Sequence, residues 1–197
     1  MIVLTGANRG IGYEIGKLLS RTHVVIGVTR DDIRLDYPCI QIQHDITQDA
    51  SVLFEEVCKY VTPSVLINCA GVGPNHPDVI DVNLTAQIKM TAEFIKRTNS
   101  GRVIQIGSFA SIEPNCQSDY SAAKAGIKYY IDCMRKQHRS HAFTTVLPGY
   151  TMTDMLDFVP DFRVLSPQDV AEAVQFVVSR PTHVDIREIV LTPKDQI

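Results

Sequence analysis

Apolar, strand-like runs alternate with helical patterns along the whole chain, and this alternation constrains the fold more than any other feature. Several runs are β-branched and apolar throughout, such as residues 23–28 and 103–106, which is typical of strands covered on both faces. The alternation predicts an α/β fold with a parallel, doubly wound sheet of about seven strands and helices on both faces. The predicted strands are 1–5, 23–28, 39–42, 64–68, 102–107, 141–147 and 187–191, and the predicted helices are 10–20, 47–61, 78–98, 118–138 and 167–179.

Length and composition narrow the class of protein. A chain of 197 residues, 45% hydrophobic and 21% charged, is expected to form a single domain over residues 1–197. The formal net charge of −3 shows no excess of basic residues of the kind that binds nucleic acid, so we expect no nucleic-acid partner. No apolar run is long enough to cross a bilayer, and the first predicted strand leaves no room for a signal peptide. These features predict a cytoplasmic protein without a membrane partner.

The cysteines and histidines give no metal-ligand spacing. The five cysteines form no C-x-x-C pair, and their odd number favours reduced thiols. The six histidines form no H-E-x-x-H or similar pattern. We therefore predict no metal site.

Glycine and polar residues follow the predicted strands at their carboxyl ends. In a doubly wound sheet these ends lie at one edge, which is where ligands bind. The segments that follow the first six strands are 6–12, Arg30, Asp45, 68–71, Ser108 and 148–149. The pattern predicts one binding site along this edge.

The loop after the first strand has the context of a dinucleotide-binding turn. Residues 5–12 read T-G-A-N-R-G-I-G between a strand and a helix, where glycines let the backbone approach a pyrophosphate at the helix N-terminus. The G-x-x-x-G-x-G spacing differs from the commoner G-x-G-x-x-G. A glycine-rich turn without a ligand is the alternative interpretation of this segment alone.

Tyr120 and Lys124 lie four residues apart in a predicted helix, so they share one face. A free phenol is a poor acid–base group near neutrality, but a fixed cation beside it favours the phenolate. By itself, a Y-x-x-x-K pair is common. The pair becomes informative only through the other motifs around it.

Five motifs in order resemble those of the short-chain dehydrogenase/reductase family, over essentially the whole chain. Residues 5–12 resemble its T-G-x-x-x-G-I-G loop, residues 68–71 its N-N-A-G segment, and residues 148–155 its P-G-x-x-x-T-D-M turn. The resemblance implies a Rossmann-type fold and an oxidoreductase that transfers hydride between a nicotinamide and a small ketone, aldehyde or alcohol. The family's catalytic Asn-Ser-Tyr-Lys set is matched by Asn83, Ser108, Tyr120 and Lys124.

The resemblance also implies a role for each catalytic residue. Tyr120 would exchange the proton, Lys124 would favour the phenolate and bind the nicotinamide ribose, and Ser108 would donate to the carbonyl oxygen. Asn83 would hold a water that connects Lys124 with solvent. Two alternatives stay open: Ser111 is a rival for Ser108, and Asn83 could cap or kink its helix.

The cofactor contacts are likewise implied by the resemblance, with Asp45 and Ile46 at the adenine ring and Thr153 near the carboxamide. Arg30 follows the second strand and suits a 2′-phosphate, which Arg9 could also contact, so we expect NADPH rather than NADH. Asp31 and Asp32 would oppose a phosphate if they turned inward. The full predicted cofactor set is Gly6, Asn8, Arg9, Gly10, Ile11, Gly12, Arg30, Asp45, Ile46, Asn68, Ala70, Gly71, Tyr120, Lys124, Pro148, Gly149, Thr151 and Thr153.

The chain departs from the family pattern where substrates are usually covered. The stretch from Gly71 to Asn83 and the segment 150–166 are short, and the C-terminus lacks the usual glycine-rich finish. An open substrate pocket is therefore expected, and the alternative to an enzyme is an inactive dinucleotide-binding regulatory or scaffold protein. The family resemblance also implies a homodimer or homotetramer.

Overall fold

The computed structural model describes residues 1–114, 118–156 and 161–196, which form a seven-stranded sheet with helices on both faces. The strands are β1 (Ile2–Thr5), β2 (Val25–Thr29), β3 (Ile40–Gln43), β4 (Val65–Asn68), β5 (Gly101–Ile106), β6 (His141–Pro148) and β7 (Glu188–Leu191). The helices are α1 (Gly10–Leu19), α2 (Ala50–Tyr60), α3 (Ala86–Arg97), α4 (Ser118–Gln137) and α5 (Pro167–Val178).

All neighbouring strands are parallel, in the order β3-β2-β1-β4-β5-β6-β7. The chain builds outward from β1 to β3, returns to the other side of β1 at β4, and continues to β7. This arrangement confirms the predicted doubly wound parallel sheet. The strand order reverses between β1 and β4, which is the position where such sheets bind ligands.

Alternate side chains along the strands lie in two hydrophobic cores, one on each face of the sheet. Val3 lies in the core under α2, α3 and α4, together with Phe54 and Phe94. Ile2 and Leu4 lie in the core under α1 and α5. Because both faces of the sheet are covered, the central strands are mainly apolar on both sides, as the sequence indicated.

Two predicted helices and one predicted strand begin two or more residues later than expected. The prediction 78–98 splits into a π-helical turn, Asp81–Thr85, and α3. The prediction 47–61 begins at Ala50, because the carboxylate of Asp49 accepts a hydrogen bond from the N–H of Ser51 and caps α2. β2 begins at Val25, where its pairing with Ile2 of β1 starts, and the preceding Val24 is 58% exposed.

Four of the cysteines are free thiols, and none of them is fully buried: Cys39, Cys58, Cys69 and Cys133. Cys116 lies outside the described residues. Across those residues, we find no helix that combines the length and apolar character of a membrane span.

Candidate active site at the carboxyl edge of the sheet

The loop between β1 and α1 is shaped by two glycines in the left-handed region. Gly6 has φ of 69° and Gly10 has φ of 53°. α1 then begins without a side-chain cap, since Arg9 makes no hydrogen bond to the first turn. The N–H groups and the positive dipole end of the helix are suited to a phosphate, so the loop fits the pyrophosphate of a dinucleotide.

Close backbone packing also requires glycine here. A Cβ atom at Gly6 would lie 2.7 Å from the Cα of Ala70, and one at Gly12 would overlap the carbonyl oxygen of Gly6. Gly10 faces Thr153, whose Cγ2 would lie 3.2 Å from an added Cβ. The structure thus brings three predicted cofactor segments, 6–12, 68–71 and 148–155, to one place.

Thr5 joins two of these segments and is absent from the predicted site. Its Oγ1 accepts hydrogen bonds from the N–H groups of Cys69 (3.0 Å) and Ala70 (3.1 Å), and its side chain is almost completely buried. A hydroxyl at the end of β1 thereby fixes the loop after β4 beside the glycine loop.

Replacing Thr5 with valine should lower the free energy of unfolding by about 2–5 kcal/mol, because two backbone donors in a partly buried loop lose their acceptor. Urea unfolding measures the loss. The matched control is Thr29→Val: Thr29 is equally buried, but its Oγ1 has no hydrogen-bond partner among the described residues. Equal losses in the two variants would contradict this role for Thr5.

Asn83 lies in the π-helical turn and holds the same β4 loop from the other side. Its Oδ1 accepts from the N–H of Val72 (3.1 Å), and its Nδ2 donates to the carbonyl of Val72 (2.9 Å). An added Cβ at Gly71 would lie 2.8 Å from this Oδ1 and 3.7 Å from Nζ of Lys124. Asn83, Gly71 and Lys124 therefore meet at one point.

Tyr120 and Lys124 share a face of α4, as predicted. Nζ of Lys124 lies 5.6 Å from the centroid of the Tyr120 ring. Lys124 is only 6% exposed, and it forms no salt bridge with any carboxylate in the described ranges. The buried ammonium thus lies over the ring of Tyr120, an arrangement in which cation and ring attract each other.

Ser108 follows β5 and caps the 3-10 turn Phe109–Ser111. Its Oγ accepts from the N–H of Ala110 (3.1 Å), which leaves its own hydrogen available for donation. The hydroxyl of Ser111 instead donates to the carbonyl of Ser108 (2.7 Å). This difference favours Ser108 over its rival. α4 packs on this 3-10 turn and on the π-helical turn. Ser108 and Asn83 are thereby brought to the helix that carries Tyr120 and Lys124.

The residues after β2 and β3 lie farther along the same edge. Arg30 is exposed and pairs with Asp31 at 3.3 Å, an interaction that raises the pKa of Arg30. Burial opposes ionisation of Asp45, but two hydrogen bonds from Thr47 outweigh it and lower the pKa of Asp45. The side chain of Ile46 is buried in the core, so contact with an adenine ring would use its backbone.

The segment after β6 is held by the C-terminal residues. The N–H of Gly149 donates to the carbonyl of Leu191 (2.7 Å), and the N–H of Tyr150 donates to Oε1 of Gln196 (2.8 Å). Thr151 is buried and donates to the carbonyl of Gly149. Pro148 ends β6, so the whole predicted turn lies at the carboxyl edge.

The remaining loop residues differ in their exposure. Asn8 and Ile11 are half-buried, with Ile11 packed against the core under α1, whereas Arg9 is exposed. Asn68 is fully buried, and its Nδ2 donates to the hydroxyl of Thr91 (2.9 Å), so a cofactor contact there would use the backbone.

A buried polar network beneath the β4 loop escapes sequence analysis. Nε2 of Gln87 donates to the carbonyl of Ala70 (2.6 Å), and Gln105 donates to Oε1 of Gln87. Both side chains are almost completely inaccessible to solvent. The sequence signals this network only by placing a glutamine, Gln87, at an interior-facing position of α3 and a second glutamine, Gln105, within the apolar strand β5.

Comparison with known proteins identifies the family of this chain. The family model described as short chain dehydrogenase matches residues 1–164. The 3-oxoacyl-[acyl-carrier-protein] reductase FabG of Vibrio cholerae is 29% identical over 90% of this chain and 88% of that protein.

Among solved structures, serine dehydrogenase from Escherichia coli is 27% identical, with a TM-score of 0.85 over 100% of both chains. An alcohol dehydrogenase from the archaeon Thermococcus sibiricus, complexed with 5-hydroxy-NADP, has a TM-score of 0.89 at 20% identity, over 100% of this chain and 97% of that one. The second likeness confirms the Rossmann-type fold. The chain belongs to the short-chain dehydrogenase family, whose oxidoreductases act on alcohol and carbonyl groups.

Proposed function

We propose that this chain is an NADPH-dependent carbonyl reductase or alcohol dehydrogenase in which Tyr120 is the acid–base residue. The observation that carries the proposal is the buried Lys124 ammonium, 5.6 Å from the Tyr120 ring and beside Gly71 at the ligand-binding edge. Ser108, with its hydroxyl hydrogen available, lies on the turn against which the same helix packs.

The chain's residues would divide the work as follows. When bound, a nicotinamide cofactor supplies or accepts the hydride. Tyr120 gives its proton to the carbonyl oxygen in the reducing direction, and the Lys124 ammonium stabilises the phenolate that remains. Ser108 donates a hydrogen bond to the same oxygen, where negative charge develops. Asn83, fixed by Val72, holds the β4 loop against Lys124 and would position the water that resupplies the proton.

The preference for NADPH rests on Arg30 at the end of β2. Its guanidinium is exposed, and its bond to Asp31 lies on the surface, where such pairs are weak and readily exchanged for a phosphate. The carboxylate of Asp31 would then remain near the bound phosphate and repel it.

Replacing Arg30 with glutamine should raise KM for NADPH about tenfold and leave KM for NADH nearly unchanged, because only the 2′-phosphate loses a charged partner. Steady-state kinetics with both cofactors measures the change. Arg34→Gln, which removes another exposed cation from the same region, is the control and should have little effect. A wild-type KM that is much lower for NADH would overturn the preference.

The exposed residues after β6 indicate the class of substrate. Met152 and Met155 are exposed on either side of Thr153, the residue that faces Gly10 of the glycine loop. Met155 also lies close to the loop after β4, since an added Cβ at Gly73 would be 3.3 Å from its Cγ. This apolar rim favours a small ketone, aldehyde or alcohol with apolar substituents. A panel should include simple carbonyls, a 3-oxoacyl thioester and L-serine, the last two prompted by the names of the relatives.

NADPH oxidation with the carbonyls of this panel, and NADP⁺ reduction with L-serine, separate the proposal from an inactive dinucleotide-binding regulator. The enzyme interpretation expects turnover with at least one carbonyl, whereas a regulator would bind NADPH and oxidise none. We also propose that residues 1–197 act as one domain in the cytoplasm, as a homodimer or homotetramer. Light scattering of the purified chain tests the oligomer, and a monomeric mass would contradict it.

A further inference from the structure

A large cleft lies at the opposite, amino edge of the sheet. It has a volume of about 1290 Å³ and lies between the ends of α4 and α5 and the starts of the strands. None of the predicted site residues lines it. Ligand pockets commonly measure about 300–1,000 Å³, so the cleft has room for a nucleotide-sized molecule.

Positive charge is concentrated in this cleft, although the whole chain has a net charge of −3. Its lining includes only two carboxylates, Asp132 and Asp185, and both already pair with Arg135. The other lining cations have no ion-pair partner in the described part of the chain: Arg102, Lys136, Arg139, Arg180 and Arg187.

Arg102 is the most unusual of these cations. It is only 6% exposed, its Nη2 makes long bonds of 3.3–3.4 Å to three backbone carbonyls, and its Nη1 has no hydrogen-bond partner among the described residues. Burial lowers the pKa of Arg102, and the charge of Asp185 only partly opposes this. A buried cation without a counter-charge is costly unless an anion compensates it.

The negative C-terminal ends of two helices balance only part of this positive charge. α4 and α5 end beside the cleft, and each helix C-terminus has about half a negative charge, so the two together balance about one cation. Five unpaired cations exceed that. Arg135 also donates to the backbone carbonyls of Phe143 and Arg187, and the exposed Lys136 and Arg139 lie at the cleft rim.

We propose that this amino-edge cleft binds a small molecule carrying several phosphate groups, at a site separate from the cofactor edge. The exposed Lys136 and Arg139 would contact the phosphates, and the buried charge of Arg102 would strengthen the field within the cleft. The inference does not depend on the proposed redox activity, because it concerns binding at the other end of the strands.

Isothermal titration with inorganic tripolyphosphate tests the site, with ATP as a second probe that shows whether a nucleoside adds affinity. The double variant Lys136→Gln/Arg139→Gln should bind tripolyphosphate about tenfold more weakly. Lys89→Gln/Lys96→Gln removes the same charge from the exposed face of α3 and should bind like the wild type. NADP⁺ should not displace the probe.

Three outcomes would overturn the proposal. They are absence of tripolyphosphate binding to the wild type, equal weakening in both double variants, and displacement by NADP⁺ in proportion to its occupancy of the cofactor edge. Both variants alter exposed side chains, so circular dichroism should show an unchanged fold in each. NADPH affinity should likewise be unchanged in both.

Discussion

Tyr120→Phe should lower kcat by about 10²- to 10⁴-fold while NADPH affinity stays within about twofold of wild type. The substitution removes only the hydroxyl, so the ring beside Nζ of Lys124 is kept and the loss falls on proton transfer. Because a group that acts in the transition state affects kcat and kcat/KM together, both constants should fall in parallel.

The control for this variant is Tyr129→Phe on the same helix. Tyr129 is 68% exposed and lies at the rim of the amino-edge cleft, far from the carboxyl ends of the strands. Its replacement should leave kcat unchanged. Turnover of Tyr120→Phe at the wild-type rate would refute the assignment of Tyr120, whatever the family resemblance implies.

Gly12→Ala should weaken NADPH binding by at least about tenfold and lower the free energy of unfolding by about 1–3 kcal/mol. The added methyl would overlap the carbonyl oxygen of Gly6, so the loop must move away from α1 to accommodate it. A backbone carbonyl cannot rotate away from the clash as a side chain can. The N–H groups of the loop that face a pyrophosphate would therefore be displaced together with it. Fluorescence titration and urea unfolding measure the two effects.

A second glycine provides the comparison. At Gly126, in α4, an added Cβ would lie 3.2 Å from the flexible tip of Leu84, and the gain in helix propensity offsets part of the crowding. We expect Gly126→Ala to change stability by no more than about 1 kcal/mol. If Gly12→Ala bound NADPH normally and unfolded like the wild type, the loop could not be the rigid cradle described above.

Local pattern was sufficient to predict the parallel sheet and the edge at which the candidate site residues lie. Runs such as Val103–Ile106 are apolar because both faces are covered, and that cause is visible in the sequence itself. The spacing of Tyr120 and Lys124 was likewise sufficient, since helical geometry places the two side chains together.

Long-range contacts explain what the sequence missed. The helix predicted for 78–98 is interrupted because Asn83 bonds to Val72, eleven residues away, and periodicity carries no information about that partner. Thr5 was part of a motif, but its role as acceptor for Cys69 and Ala70 requires β1 and β4 to be neighbours. The carbonyl acceptors of Arg135 likewise lie in other segments of the chain, and sequence pattern carries no information about them.

The most direct test of the central claim is transfer of deuterium from NADPH labelled at nicotinamide C4, with each stereoisomer supplied separately to the wild-type chain and the carbonyl panel. Mass spectrometry of the products should find one deuterium on the carbinol carbon from one stereoisomer only, and almost none with Tyr120→Phe. Tight binding of NADPH without label in any product would contradict hydride transfer by this chain and leave a dinucleotide-binding protein.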